Sequence, residues 1–288
     1  MGLKQAVSRN LASRVARSQV AAIRRGAIWS FPRPTWPLRR KWNDRWLKYK
    51  VLHPVESDMQ AVIDQDPRLE ALRLPEPNAW NLTASARLVI SALIERHRPR
   101  NLIELGGGVS TIILADYARR TRFADGTSPR ICSVDHDREW LAQTTADLKD
   151  RGLLDGVELI HAPVEHMKIG GEDFATYALP ESFHENHAPG SFDFCLIDGP
   201  PEILCGRAGT LPLVAPYLAS GALVLLDDAF RAGEQECLRR WHERFRGNLR
   251  DSRLVLNSRG MATFRWYPGK ELTQARPENL SSMRATVA

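Results

Sequence analysis

One stretch constrains the fold more than any other: Asn101-Leu102-Ile103-Glu104-Leu105-Gly106-Gly107-Gly108-Val109-Ser110-Thr111. An apolar run that ends in an acid and then in glycines reads as a buried strand, a tight turn and the start of a helix from Thr111 to Arg120. Glycine takes positive φ without a Cβ clash and lets backbone come close to a ligand. Glu104 adds a carboxylate at the strand end, able to accept hydrogen bonds from a cationic or hydroxylated ligand. A dinucleotide fingerprint would read G-x-G-x-x-G. Here Gly106, Gly108 and Thr111 hold those positions, so the third glycine is missing, and a buried Glu sits poorly beside a pyrophosphate.

The flanking sequence alternates strand and helix patterns. Thr83 to His97 carries Leu88, Ile90, Leu93 and Ile94 at mostly helical spacing, with Thr83 or Ser85 as cap and Pro99 as stop. Further strands are expected at Arg130–Asp135, Val157–His161, Phe192–Asp198 and Ala222–Asp227. Helices are expected at Arg138–Lys149, Thr210–Ala219 and Ala232–Phe245. Leu254–Ser258 and Met261–Tyr267 read as a closing antiparallel pair around Arg259-Gly260. Short, continuously apolar strands between helices imply a sheet covered on both faces. The expected fold is α/β, a Rossmann-like seven-stranded, mostly parallel sheet with helices on both faces and an antiparallel last strand pair. The stretch from Glu165 to Gly190, with His166, His184 and His187, reads as a long loop that could act as a substrate lid. His184-Glu-Asn-His187 is one residue short of the H-E-x-x-H zinc helix.

Charge divides the chain. Ten of its 40 basic residues precede Asp44, the first acid, which leaves 30 basic residues against all 34 acidic ones in the remainder. The basic character thus belongs to an N-terminal arm, which argues against nucleic acid as the partner of the main domain. Residues 1–45 are expected to be this arm with its Pro/Trp linker, including an amphipathic helix over 3–28. The arm reads first as a poorly ordered basic tail, and next as a mitochondrial-type targeting segment or a membrane-surface helix. Residues 46–79 read as a helical extension with a short helix at Asp58–Asp64, residues 80–268 as the catalytic domain, and 269–288 as a polar tail expected to be disordered. No apolar run approaches ~20 residues, and the four dispersed cysteines form no C-x-x-C pair. These features lead us to expect a cytoplasmic setting, with contact at a membrane surface through the arm.

Ligands of parallel sheets bind at the C-terminal strand ends, where Glu104, Asp135, Asp198, Asp227 and Asp228 all fall. Asp135 is placed to accept both hydroxyls of a ribose, and His136 beside it reads as a solvent-facing histidine or as a border of the adenosine. Arg231 is placed either to clamp an anionic substrate group or to pair with Glu234 along a helix.

Three elements in this order, E-x-G-x-G-x-S-T (Glu104 to Thr111), I-D-G-P-P (Ile197 to Pro201) and L-D-D-A-x-R-x-x-E (Leu226 to Glu234), resemble the class I S-adenosylmethionine (SAM)-dependent methyltransferases, small-molecule O-methyltransferase-like branch. The resemblance runs from about Trp80 to Tyr267. It implies a SAM-binding set of Glu104, Gly106, Gly107, Gly108, Ser110, Thr111, Asp135, His136, Ala162, Val164 and Asp198, with Ala162 and Val164 beside the adenine. It implies Asp198, Asp228 and Arg231 at the substrate. Catechol O-methyltransferase-like enzymes of that branch hold a divalent metal at the positions of Asp198, Asp227 and Asp228, a set suited to Mg²⁺ or Ca²⁺. They also place a lysine base shortly after the first metal Asp, where this chain has Gly199, Pro200, Pro201 and Glu202. The implied activity is methyl transfer to an unidentified, oxygen-type acceptor on a small-molecule or lipid-linked substrate. The rivals are a NAD(P)-dependent oxidoreductase and a catalytically silent binding module at a membrane surface.

Overall fold

The computed structural model describes residues 64, 66–77, 81–255, 257 and 259–269, together with the backbone of Ser30–Pro32. The expected helix over 3–28, most of the one at Asp58–Asp64 and the tail from 270 lie outside the described residues. The strands are β1 (Ser30–Pro32), β2 (Asn101–Leu105), β3 (Arg130–Asp135), β4 (Val157–His161), β5 (Val164–Ile169), β6 (Glu172–Tyr177), β7 (Phe192–Ile197), β8 (Leu218–Leu226), β9 (Leu249–Val255) and β10 (Met261–Trp266). The α-helices among the described residues are α1 (Pro67–Ala71), α2 (Ala84–His97), α3 (Val109–Arg120), α4 (Arg138–Asp150), α5 (Glu181–Asn186), α6 (Thr210–Val214) and α7 (Ala232–Arg244).

The main sheet runs β1-β9-β10-β8-β7-β2-β3-β4. Its β4-β3-β2-β7-β8 half is parallel, whereas β10 is antiparallel to both β8 and β9. The expected seven strands and antiparallel last pair are therefore present. The eighth strand, β1, comes from the linker and pairs with β9 at the sheet edge, a position that tolerates Pro32.

Side-chain alternation sends the apolar residues of the central strands to both faces of the sheet. Ile103, Leu105, Val134, Cys195, Ile197, Val224 and Leu226 point to one face and pack on Leu211, Val214, Leu238 and Trp241 of α6 and α7. Leu102, Ile131, Phe194, Leu196, Leu223 and Leu225 point to the other and pack on α2 and α3. Both faces of the central strands β2, β7 and β8 are buried, so these strands read as mostly apolar runs rather than as alternating ones.

Local signals set the helix ends. Thr83 Oγ1 accepts the Ala86 N–H at 3.2 Å, and Arg98 closes α2 in the left-handed region at φ 48°. Asp137 caps α4 by accepting from Glu139 N and Trp140 N at 2.8 and 3.0 Å. The expected Thr210–Ala219 helix is shorter: it ends at Val214, a 3₁₀ turn takes Ala215–Tyr217, and β8 already starts at Leu218.

The expected 165–190 loop is structured instead. β5 and β6 form an antiparallel hairpin whose two linking residues, Gly170 and Gly171, both have positive φ, 58° and 86°. That is the turn geometry a two-residue hairpin needs. His184 lies on α5 with Nδ1 2.5 Å from Tyr217 Oη, and His187 Nε2 lies 2.9 Å from Glu158 Oε2. Among the described residues no helix is long and apolar enough to cross a membrane.

Candidate functional site

The glycine turn is built for close approach. Gly106 has φ 91°, and a Cβ there would come within 2.6 Å of Gly199 N. The two segments are tied because the Leu105 carbonyl accepts both Asp198 N–H and Gly199 N–H, at 2.9 and 2.7 Å. β2 and β7 thus end side by side. Gly107 N–H donates to Asp135 Oδ2 at 3.0 Å, and Asp137 N–H donates to Asp135 Oδ1 at 2.9 Å. A carboxylate offers about four acceptor positions, so Asp135 keeps capacity for ligand hydroxyls. Trp140, on the first turn of α4, donates from Nε1 to the Gly107 carbonyl at 2.8 Å while staying 38% exposed.

At the ends of β7 and β8 stand the acids. Asp228 has φ 56°, a strained value for a residue with a side chain. Its carboxylate meets Arg207 Nη2 at 3.1 Å and Arg231 Nη1 at 3.0 Å. Arg207 is buried in the middle of the group. Its Nη2 also lies 3.1 Å from Asp198 Oδ1 and 2.5 Å from the Asp198 carbonyl oxygen, and Nη1 donates to the Asp227 carbonyl at 2.8 Å. Its Nε lies 3.8 Å from Glu234 Oε1. Glu234 therefore faces Arg207 and not Arg231, so the alternative pairing of Arg231 with Glu234 gives way to Arg231–Asp228. Arg259 reaches the same place because Ala229 N–H and Phe230 N–H bond to the Gly260 and Arg259 carbonyls, at 2.9 Å each. These bonds fold the β9–β10 turn onto the segment after β8.

Burial pushes the Asp198 carboxyl up to about 6 against the opposing charge of Arg207. Burial also raises Asp227 well above the usual carboxylate range, with the charges of Asp198 and Asp228 adding to the effect. Glu104 is fully buried and pushed up to about 7 by burial; the nearby hydroxyls of Thr111, Ser110 and Ser133 restrain the rise. Neither Glu104 oxygen has a partner in hydrogen-bond geometry.

One cavity of about 480 Å³ joins these parts. Of the residues read from the sequence, Gly106, Gly107, Asp135, His136, Asp198, Asp228 and Arg231 line it. Glu104, Gly108, Ser110, Thr111, Ala162, Val164 and Asp227 do not. Glu104 shares the strand face of Leu102, so alternation aims it under α3 and away from the cavity. Thr111 Oγ1 accepts the Gly108 N–H at 2.8 Å and braces the turn from the same side. Ala162 is buried beneath β3, donating to the Asp135 carbonyl at 2.9 Å, and Val164 opens β5 opposite Tyr177. Asp227 is buried behind the cavity wall, with a carboxylate oxygen within 4.8 Å of those of Asp198 and Asp228.

The sequence reading missed Asn81, Trp140, Tyr177, Arg207 and Arg259 as lining residues. Tyr177 ends β6 with its hydroxyl buried and unpartnered, and the hairpin that delivers it was read as loop. Arg207 lies in the connection from β7 to α6, where nothing local signals its return to the strand ends.

The three aspartates offer ligand atoms within 4.8 Å of one another, as a divalent ion would require. Arg207 changes that fit. Its guanidinium already bridges Asp198 and Asp228, so an ion on the same oxygens would stand in contact range of a fixed positive charge. The residues present do not fit an added divalent ion.

Residues 103–229 match a family model described as "Methyltransferase domain". That stretch is similar to a methyltransferase domain, in agreement with the Rossmann-like sheet. A search of curated protein sequences finds no match. Among solved structures, the chain is similar to a candidate O-methyltransferase from Klebsiella pneumoniae, at 17% identity over 80% of this chain and 100% of that one, TM-score 0.51. It is also similar to a methyltransferase from Podospora anserina bound to S-adenosylhomocysteine (SAH), at 15% identity over 74% and 95% of the two chains, TM-score 0.50. A third is an O-methyltransferase from Bacillus cereus in complex with SAH, at 17% identity over 73% and 90%, TM-score 0.47. At these identities the likeness to the first two speaks for the fold alone. The methyltransferase reading holds over the NAD(P)-dependent oxidoreductase.

Proposed function

We propose that this methyltransferase acts on an oxygen of a small-molecule or lipid-linked acceptor that carries a negative charge near the reacting atom. One observation carries the reading: the glycine turn with Asp135 and the cluster of Asp198, Asp228, Arg231 and Arg259 open into the same cavity. The backbone of Gly106 and Gly107 and the carboxylate of Asp135 fit SAM, since the turn excludes side chains and Asp135 keeps free acceptor capacity for ribose hydroxyls. SAM supplies a methyl group already activated on its sulfonium.

The chain's part is then positioning and proton removal. Asp198 and Asp228 stand where an acceptor hydroxyl would surrender its proton as its oxygen bonds to the methyl carbon and the sulfur–carbon bond breaks. No lysine is needed for that step when a carboxylate occupies the place. Arg231, 35% exposed and paired with Asp228 at 3.0 Å, presents its remaining donors to the cavity and would hold the acceptor's anion. Ile203, 84% exposed on the rim, offers an apolar contact for the acceptor's body. The basic arm before Asp44 would bring the enzyme to an anionic membrane surface when the acceptor is lipid-linked.

The test is transfer of tritiated methyl from SAM to a panel of hydroxylated carboxylic acids, phenols and amines. The expected result is labelling of hydroxylated anions, with Arg231→Ala raising KM for them more than it lowers kcat. Labelling confined to amines would contradict an oxygen acceptor. Co-sedimentation with phosphatidylserine vesicles, compared with phosphatidylcholine vesicles, tests the arm: equal recovery from both would contradict that contact.

A further inference from the structure

We propose that Arg207 is a built-in counter-cation for the strand-end carboxylates, and that this enzyme binds cofactor and acceptor without a divalent metal. The inference rests on the methyltransferase reading and deepens it. Three relationships support it. Arg207 is buried, and its guanidinium makes its contacts to the ends of two adjacent strands: the Asp198 carbonyl and carboxylate on β7's side, the Asp227 carbonyl and Asp228 carboxylate on β8's side. A surface arginine that fell in by chance would not satisfy two backbone carbonyls and two side chains at once. A planar guanidinium with five fixed donors suits such a bridge in a way that a point charge does not.

The charge count agrees. Asp198, Asp227, Asp228 and Glu234 gather around Arg207, with Arg231 3.0 Å and Arg259 3.9 Å from Asp228. Four acids face three guanidiniums, so the cluster carries about one formal negative charge before any ion arrives, and a divalent ion would reverse its sign rather than neutralise it. The surroundings also fix the pose. Thr210 Oγ1 and Thr210 N–H both donate to the Arg207 carbonyl, at 2.7 and 3.2 Å, which anchors the backbone of the arginine at the start of α6. Arg207 lines the cavity, so its charge is felt where the acceptor oxygen would lose its proton. Arg207 is thus a positioning residue for Asp198 and Asp228, holding both carboxylates at the cavity wall as a metal would.

The experiment uses the full chain and two separate readouts. Mn²⁺ alone, followed by electron paramagnetic resonance, reports metal binding; SAH titration in EDTA and in millimolar Mg²⁺ reports the cofactor. The expected result for the wild type is no Mn²⁺ binding at millimolar concentration and SAH affinity equal within about twofold in the two buffers. Arg207→Gln is expected to open the carboxylate group and gain Mn²⁺ binding, which Arg207→Gln combined with Asp227→Asn loses again, while Arg207→Lys keeps a charge in place and stays metal-free. Wild-type Mn²⁺ binding that Asp227→Asn abolishes, or SAH binding that requires Mg²⁺, would overturn the proposal. If Arg207→Gln does not fold, the wild-type and Arg207→Lys titrations still decide it. Failure of the methyltransferase reading looks different: SAH then binds in neither buffer, whatever Mn²⁺ does.

Discussion

The Gly107 N–H points at Asp135 Oδ2 across 3.0 Å, so the turn after β2 is held by the carboxylate that ends β3. Two strands that sit side by side in the sheet thereby share one ligand-facing corner. Hydrogen bonds to a charged group contribute about 1.5–3 kcal/mol each. Asp135→Asn keeps the shape and loses the charge. It is expected to weaken SAH binding about tenfold to a hundredfold by calorimetry, with a small change in melting temperature. Unchanged affinity would show that Asp135 faces away from the cofactor.

Gly106 combines φ 91° with a Cβ position 2.6 Å from Gly199 N. The obstacle is backbone and cannot swing aside. Gly106→Ala is expected to cost about 1–3 kcal/mol of stability from strain and to separate the β2 and β7 ends that the Leu105 carbonyl joins. Urea unfolding measures the first effect and loss of SAH binding the second. A variant of wild-type stability would contradict the close approach.

Glu104 gives a pH signature. Its carboxyl is raised by burial from the usual 4.5 to about 7 in the folded chain. The folded state therefore prefers the proton, so its contribution to stability is full below pH ~4.5, falls as pH rises toward ~7 and is gone above that, a change of about 3 kcal/mol. Glu104→Gln cannot titrate. The variant's stability relative to wild type is expected to rise between pH 4.5 and 7 by that amount, measured by urea unfolding without cofactor. A difference that stays flat across this window would contradict an unpaired buried Glu104.

Trp140 lies 38% exposed on the turn while its Nε1 bonds to the Gly107 carbonyl. A side chain so exposed contributes little to the core. Trp140→Phe is expected to weaken SAH binding several-fold, in line with the ~1 kcal/mol of a neutral hydrogen bond, and to leave the unfolding midpoint nearly unchanged. A large stability loss would assign the residue to the core instead.

The parallel half of the sheet was legible because burial on both faces leaves an unmistakable pattern, continuous apolar runs ended by acids. That Gly106, Gly107, Asp135, Asp198 and Asp228 line one cavity was legible for the same reason: strand ends of a parallel sheet converge. The β5–β6 hairpin was less visible. β5 has no buried residue and β6 buries only Phe174, Thr176 and Tyr177, so neither shows a continuous apolar run, although Gly170-Gly171 carried the turn. Glu104 was placed on the right strand end, yet a single residue of pleat turns it from the cavity to the underside of α3. Arg207 was invisible, because its partners are gathered by the fold: the carbonyl of Asp198 nine residues back, the carboxylate of Asp228 21 residues ahead.

Calorimetric titration of the protein with SAH, beside NAD⁺, separates a methyltransferase from an oxidoreductase. Micromolar SAH binding, weakened by Asp135→Asn, with no binding of NAD⁺, is the expected result. A folded protein that binds NAD⁺ in the same range, or that binds neither, would contradict it.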